Sequence, residues 1–417
     1  MNLIKTKPKK KNPAFRNVAE FLHLWLGLIS GILVVIVCLT AAIWVFRDEV
    51  NYLARPEERI AASDKAFVPP SQLLASAKAY FNATHQPFPS KLYGITYRSK
   101  KQTAYISFEN AADSSYRSLH LNPYTGKMLH VEDDRNSKTG KFFLFIRAGH
   151  RFLWLPREIG SPIVGTGCIL FLITAITGLI WWYPKKWNAA TVKKSFTIKW
   201  NASWKRVNID LHNVLGFYSL IFCCILIVTG ITFSFKWFDS SLHYLLTGHQ
   251  KEKPPVVAKS PGRYTFDNSK DTIDNVWLLA NHVSNRVNEM ATLSFPSEKK
   301  KHYETLFFEE SGHIHNLQRF EINPVTLAVQ QKSVSYDSLS LGRKLYQLNF
   351  ELHVGNIYGL PTKILAFLVS LVGASFPVTG FIIWYNRKKK AVHKKGSKRR
   401  RFPFIRSAPH SAPDIRS

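Results

Sequence analysis

Four stretches of this chain are apolar for long enough to cross a bilayer, which takes a helix of about 20 residues: roughly 20–46, 160–183, 212–236 and 360–385. The polar stretches between them carry other periods. From Pro70 to Tyr80 the apolar residues are spaced as on a helix. Alternating runs at Leu92–Tyr97, Thr103–Phe108 and Ser118–Leu121 follow and predict strands, closed by the turn Asn122-Pro123-Tyr124-Thr125-Gly126. The same order returns with helical spacing over Asp271–Val287, strands near Met290–Ser294, Glu304–Phe308 and Gln318–Ile322, and a turn Asn323-Pro324-Val325-Thr326. The pattern predicts a membrane protein of four transmembrane α-helices in two tandem repeats, with two α+β domains outside the bilayer.

The repeat keeps register. Leu22-His23-Leu24-Trp25-Leu26-Gly27 opens a run that reaches Thr40-Ala41, and Leu211-His212-Asn213-Val214-Leu215-Gly216 opens one that reaches Thr229-Gly230. His212 stands 189 residues after His23, and Thr229 the same distance after Thr40. A second pair behaves alike: His150 leads through Arg151 and Pro156 to Thr177-Gly178 and Trp182-Tyr183, and His353 leads through Pro361 to Thr379-Gly380 and Trp384-Tyr385.

Composition narrows the class. A mean hydropathy of −0.11 with 46% hydrophobic residues excludes a chain that is all membrane. Lys and Arg number 6 in residues 1–17, 7 in 184–208 and 12 in 386–417, against the single acid Asp414. Basic flanks mark the cytoplasmic side, so these three segments face inward and explain a pI near 10.0 without nucleic acid. The apolar part of the first run is too long for a signal peptide and lacks a small-residue cleavage site, so it stays attached. Cys38, Cys168, Cys223 and Cys224 all fall in spans, leaving no disulfide framework outside and no C-x-x-C-H for covalent haem.

The segments are then a basic cytoplasmic tail (1–17), transmembrane helix 1 (18–46), a first extracytoplasmic domain (47–149), and a histidine-led segment with transmembrane helix 2 (150–183). A basic cytoplasmic loop (184–208), transmembrane helix 3 (209–236), a second extracytoplasmic domain (237–350), a histidine-led segment with transmembrane helix 4 (351–385) and a basic cytoplasmic tail (386–417) complete the order.

A helix-first module ending in Asn-Pro-x-Thr, set between helices carrying L-H-x-x-x-G and His-led segments ending in T-G-x-x-x-W, resembles the PepSY-associated transmembrane helix family. That family includes iron-regulated inner-membrane proteins and ferric siderophore reductases of bacteria. The resemblance covers roughly residues 17–387 and departs from the motif at Ala41, where glycine is expected, and at Val354, where arginine is. It implies PepSY-like outer domains, a bacterial inner membrane, and a haem-dependent ferric-chelate reductase acting in iron uptake.

Position supplies the chemistry. With helices 1 and 3 running outward and 2 and 4 inward, His23 meets His212 near the inner face and His150 meets His353 near the outer face. Two stacked histidine pairs are what two bis-histidine b-type haems require, each iron taking one neutral imidazole on either face. Methionine is excluded, because Met1, Met128 and Met290 all lie outside the spans. His23, Gly27 and Gly31 share one helix face, and the Thr-small pairs sit at the depth of the opposite histidines, where small residues leave gaps for a flat macrocycle. A lone histidine at a helix end is ordinarily a snorkelling residue; four in a repeated register are expected to ligate.

Arg147, Arg151, Arg157 and Arg343 near the outer pair are candidates for haem propionates or for an anionic substrate, with helix capping at the headgroups as the plain alternative. His313-x-His315 suggests a metal but reads more simply as an exposed strand. Pro156, Pro162, Pro361 and Pro377 shape kinks, and Trp181, Trp182 and Trp384 read as interface anchors. His150 precedes Thr177 by 27 residues, too many for one helix inside about 30 Å of hydrocarbon, so the outer haem is expected at the membrane surface. The expected partners are lipid, a periplasmic iron(III) chelate and a separate cytoplasmic or quinol donor, for no flavin or nicotinamide motif is present. Two rival readings are a PepSY regulatory or peptidase-inhibitor protein on an inert anchor, and a transporter subunit.

Overall fold

The computed structural model describes residues 14–399 except 112, 134–136, 185, 252–256, 260–263, 265, 286–289, 298–300 and 309–314, with side chains as far as 390. Four of its helices are long and apolar enough to cross a membrane. They are α1 (Ala14–Trp44), α5 (Arg157–Trp182), α7 (Trp204–Ser234) and α12 (Leu360–Arg399). The shorter helices are α2 (Arg47–Ala54), α3 (Pro70–Ala83), α4 (Lys138–Phe152), α6 (Ala189–Phe196), α8 (Lys236–Thr247), α9 (Thr272–Ser284), α10 (Leu341–Gln347) and α11 (Asn349–Val354). Helix α1 packs on α5 and α12, and α7 packs on the same two, so α1 and α7 face each other across a four-helix bundle. The bundle's exterior is apolar: Ile29, Ile32 and Ile221 are 70%, 79% and 70% exposed, a surface that lipid covers and water would not. This is a multi-pass membrane protein.

The strands form one antiparallel sheet in the order β4-β3-β2-β1-β6-β7-β8-β9-β5. They run β1 (Leu92–Tyr97), β2 (Ala104–Glu109), β3 (Tyr116–Leu121), β4 (Met128–Glu132), β5 (Val257–Lys259), β6 (Ala291–Ser294), β7 (Tyr303–Phe307), β8 (Gln318–Ile322) and β9 (Val329–Gln331). The two expected outer units are therefore joined. β1 pairs with β6 across the seam, Gly94 opposite Ser294 and Tyr97 opposite Ala291. Helices α3 and α9 lie on one face of this sheet over a shared core, in which Trp277 stacks on Tyr97 at 4.6 Å. Ser71 seals the helix pair by donating from its backbone N–H and its hydroxyl to the Asp274 carboxylate at 2.8 and 2.5 Å. The matching turns differ at one seat. Gly126 takes the left-handed conformation in the first (φ +72°), and Leu327 takes it in the second (φ +52°).

Several boundaries move. Helix α4 crosses the expected join at 149/150 and ends at Phe152, where Leu153 and Trp154 turn left-handed (φ +53° and +60°) before Pro156 starts α5. Proline cannot continue a helix through its own position without losing a backbone bond, so His150 sits on a helix separate from the span. Likewise α11 crosses the join at 350/351, α7 begins five residues before 209, and α12 continues through part of the basic tail to Arg399.

Candidate functional site

Four histidines, two on spans and two on the short helices ahead of spans, converge in two pairs. His23 on α1 and His212 on α7 face each other across the bundle with ring centroids 6.1 Å apart, at the end remote from the sheet. His150 on α4 and His353 on α11 stand 6.0 Å apart at the sheet end. Metal–imidazole bonds of about 2 Å on each side, plus a ring radius of about 1 Å at each end, put two ligating rings about 6 Å apart. Both pairs have the spacing of imidazoles on opposite sides of one metal atom.

The protons are placed consistently. His23 Nδ1 lies 2.8 Å from the Thr174 carbonyl, and His150 Nδ1 lies 3.0 Å from that of Val37. His353 Nδ1 lies 3.2 Å from the Leu226 carbonyl and 3.1 Å from Thr229 Oγ1, and His212 Nδ1 lies 2.7 Å from Thr379 Oγ1. A carbonyl only accepts. Each threonine hydroxyl already donates back along its own helix, Thr229 to Ile225 O at 2.7 Å and Thr379 to Ser375 O at 2.9 Å, so it too accepts from the ring. All four histidines therefore carry hydrogen on Nδ1 and a bare lone pair on Nε2, and among the described residues no Nε2 of the four makes a hydrogen bond. A ring proton held by a fixed acceptor is how proteins set the tautomer and the aim of a metal-binding histidine.

The Thr-small pairs complete each seat, as their depth in the repeat predicts. The hydroxyls of Thr177, Thr40 and Thr229 donate to the carbonyls of Thr174, Val37 and Leu226, the same atoms that accept from the histidines. The glycine beside each of Thr177, Thr229 and Thr379 makes room for the imidazole. A Cβ on Gly178 would stand 2.7 Å from His23 Cε1, on Gly230 3.1 Å from His353 Cε1, and on Gly380 3.5 Å from His212 Cε1. Gly27 and Gly216, one turn beyond His23 and His212, line a cavity of 510 Å³ between the helices together with Gly178 and Gly380. That volume falls in the range of cofactor sites. Trp181, Trp182 and Trp384 line it as well, so they are part of the site as much as anchors, and the Trp182 indole N–H is buried there with no acceptor among the described residues. Lys194, Arg206 and Arg387 stand around it.

A family model described as the PepSY-associated TM region matches residues 21–387. The chain belongs to that family. No curated protein matches it. The PepSY-associated TM match takes in all four histidines and every Thr-small pair, so the geometry above lies wholly inside the shared region.

The sheet end of this PepSY-associated TM protein is electropositive. Arg147 and Arg157 are exposed, Arg151 lies over the Phe152 ring at 5.1 Å, and none of the three forms an ion pair among the described residues. Burial, then repulsion from Arg147 and Arg157, lowers the Arg151 guanidinium from its ordinary value, the mark of three crowded cations. Arg343 starts the next cluster on α10. His313 lies outside the described residues. His315 is not an exposed strand residue: its backbone N–H and Nδ1 lie 2.8 and 3.2 Å from the fully buried Glu351 carboxylate. Sequence reasoning took Trp182 only for an interface anchor and passed over the α6 helix, whose Phe196 packs edge-on against Trp182 at 5.2 Å. The dipeptide Asn188-Ala189 ahead of the basic run is the N-cap signal that marks α6.

Proposed function

We propose that the chain holds two b-type haems, one between His23 and His212 and one between His150 and His353, and carries single electrons across a bacterial inner membrane. The termini are cytoplasmic in this reading, from the placement of basic residues, and the sheet is periplasmic, built of two PepSY-like halves of a tandem repeat. The acceptor is an iron(III) chelate such as a ferric siderophore, as the family resemblance implies. Reduction to iron(II) weakens hard oxygen ligation and frees the metal for uptake. The donor is a separate cytoplasmic protein or quinol.

One observation carries the reading: four imidazoles, each held by an engaged Nδ1–H, are set in two pairs with ring centroids 6.1 and 6.0 Å apart. A haem iron with two axial imidazoles supplies one-electron redox chemistry. The residues' part is to hold the rings, to leave space at Gly27 and Gly216, and to offer the Trp182 N–H and nearby cations to propionates. Transport and inert anchoring give no reason for this tautomeric uniformity.

The test is the absorption spectrum and haem content of protein purified from haem-replete cells. Close to two non-covalent haems per chain with low-spin bis-imidazole spectra are expected. Protein that emerges without haem sinks the electron-transfer function.

A further inference from the structure

A second set of imidazoles, far from the bundle's histidines in sequence, sits in the sheet. His120 on β3 and His130 on the terminal strand β4 are direct cross-strand partners, their rings stacked 4.4 Å apart and 9° from parallel. Strand alternation sends Leu119 and Leu121 into the core and His120 to the opposite face. There the segment 55–59 covers it, held by Thr103 N–H donating to Glu58 O and by the bridge between Arg59 and Gln102. His120 is 1% exposed, with Nδ1 2.9 Å from Thr103 Oγ1. Its Nε2 is buried without a partner among the described residues, and so is the Nε2 of His130. Glu132 shares the face of His130 on β4 and brings Oε2 to 3.7 Å from His120 Nε2, too far for a hydrogen bond. One ligand atom from each of the three residues lies within 4.8 Å of the others.

We propose that His120, His130 and Glu132 form a site for a divalent first-row transition ion, ligated by two imidazole nitrogens and one carboxylate oxygen. Buried polar atoms are nearly always paired, and here two ring nitrogens in one place are not. Two nitrogens and one oxygen suit iron(II), zinc, nickel or copper and not magnesium or calcium, which demand oxygen shells. The atoms close onto bonds of about 2 Å when the half-buried His130 ring tilts inward. Arg55 donates to Glu132 Oε2 at 3.0 Å and would orient the carboxylate as outer partners of metal ligands do. The two cations beside the site are matched by two carboxylates: Glu58 pairs with Arg55 and Arg98 at 3.0 and 2.6 Å, and Glu132 pairs with Arg55 at 3.0 Å. The same Arg55 donates to Ser137 Oγ, the N-cap of α4, so one guanidinium separates this site from the helix that carries His150.

The experiment uses the full chain in detergent with whatever haem it carries, washed with chelator and titrated with Zn²⁺ and Co²⁺. One saturable equivalent is expected, with a cobalt ligand-field spectrum. His130→Ala and Glu132→Gln should weaken binding at least about 10-fold, while His249→Ala, at an exposed position, leaves it unchanged. Equal binding by wild type and His130→Ala overturns the proposal, as does a wild type with no saturable equivalent. X-ray absorption at the zinc edge of the wild type needs no variant: two imidazoles in the shell are expected, and a shell of oxygens alone overturns it. Neither readout depends on haem, so the outcome is independent of the electron-transfer reading.

Discussion

At each of the four histidines, what separates a ligand from a packing residue is the position of one proton. A ring that donated through Nε2 would be an ordinary buried imidazole; these donate through Nδ1 to acceptors that have no proton to return. The seats are tight in different degrees, and that grades a prediction. Gly178→Ala places a methyl 2.7 Å from His23 Cε1 and should abolish the His23–His212 haem, whereas Gly380→Ala, with 3.5 Å to His212 Cε1, should keep it. The fourth seat already carries Ala41 in place of glycine. His23→Ala and His212→Ala should both remove the same haem and spare the other, because one lost axial ligand leaves a labile site. Difference spectra of the variants check this, and two different haems perturbed would reject the pairing.

At the scale of elements, the spans and most strands were legible because their periods are local: β1, β7 and β8 fall where alternation predicts. What could not be read depends on partners far away in sequence. The β1–β6 seam joins segments about 200 residues apart, and nothing in either strand names the other. Helix α4 was hidden because its apolar residues continue toward those of α5, and only the backbone reversal at Leu153 and Trp154 separates them. β4 reads Met128-Leu129-His130-Val131-Glu132, whose two leading apolar residues break the alternation that marks a strand. The histidine pairs were legible through the repeat; the tautomers were not, since Thr174, Val37 and Leu226 act through carbonyls that every residue has. The seam also yields an expectation. A Cβ on Gly94 would meet the Leu293 carbonyl oxygen at 2.5 Å, and backbone cannot swing aside as a side chain can. Gly94→Ala should therefore destabilise the sheet by about 1–3 kcal/mol, seen as earlier loss of near-ultraviolet dichroism on heating, with haem content unchanged while the chain is folded. An unaltered melting curve would mean that the two halves need not be in register.

At the scale of the molecule, charge and depth decide where, in the proposed function, a substrate would meet an electron. The His150–His353 pair is carried by α4 and α11, outside the four spans, so it lies toward the sheet rather than at mid-bilayer depth. A bulky hydrophilic chelate does not enter hydrocarbon, and an outer site at the surface removes the need. Arg147 and Arg157 flank that end, exposed and without ion pairs among the described residues, so their field is not cancelled locally. Such a patch raises the encounter rate of anions more than their affinity, and salt screens it over about 8–10 Å. Arg151 packs on Phe152 and is better left in place. The double variant Arg147→Gln, Arg157→Gln should slow reduction of anionic iron(III) chelates, with the deficit shrinking as ionic strength rises and little change for neutral chelates. Haem content and reduction by dithionite serve as controls and should stay at wild-type levels. Rates unchanged toward every chelate would make these arginines structural and move the docking surface onto the sheet; loss of haem would make them propionate ligands instead.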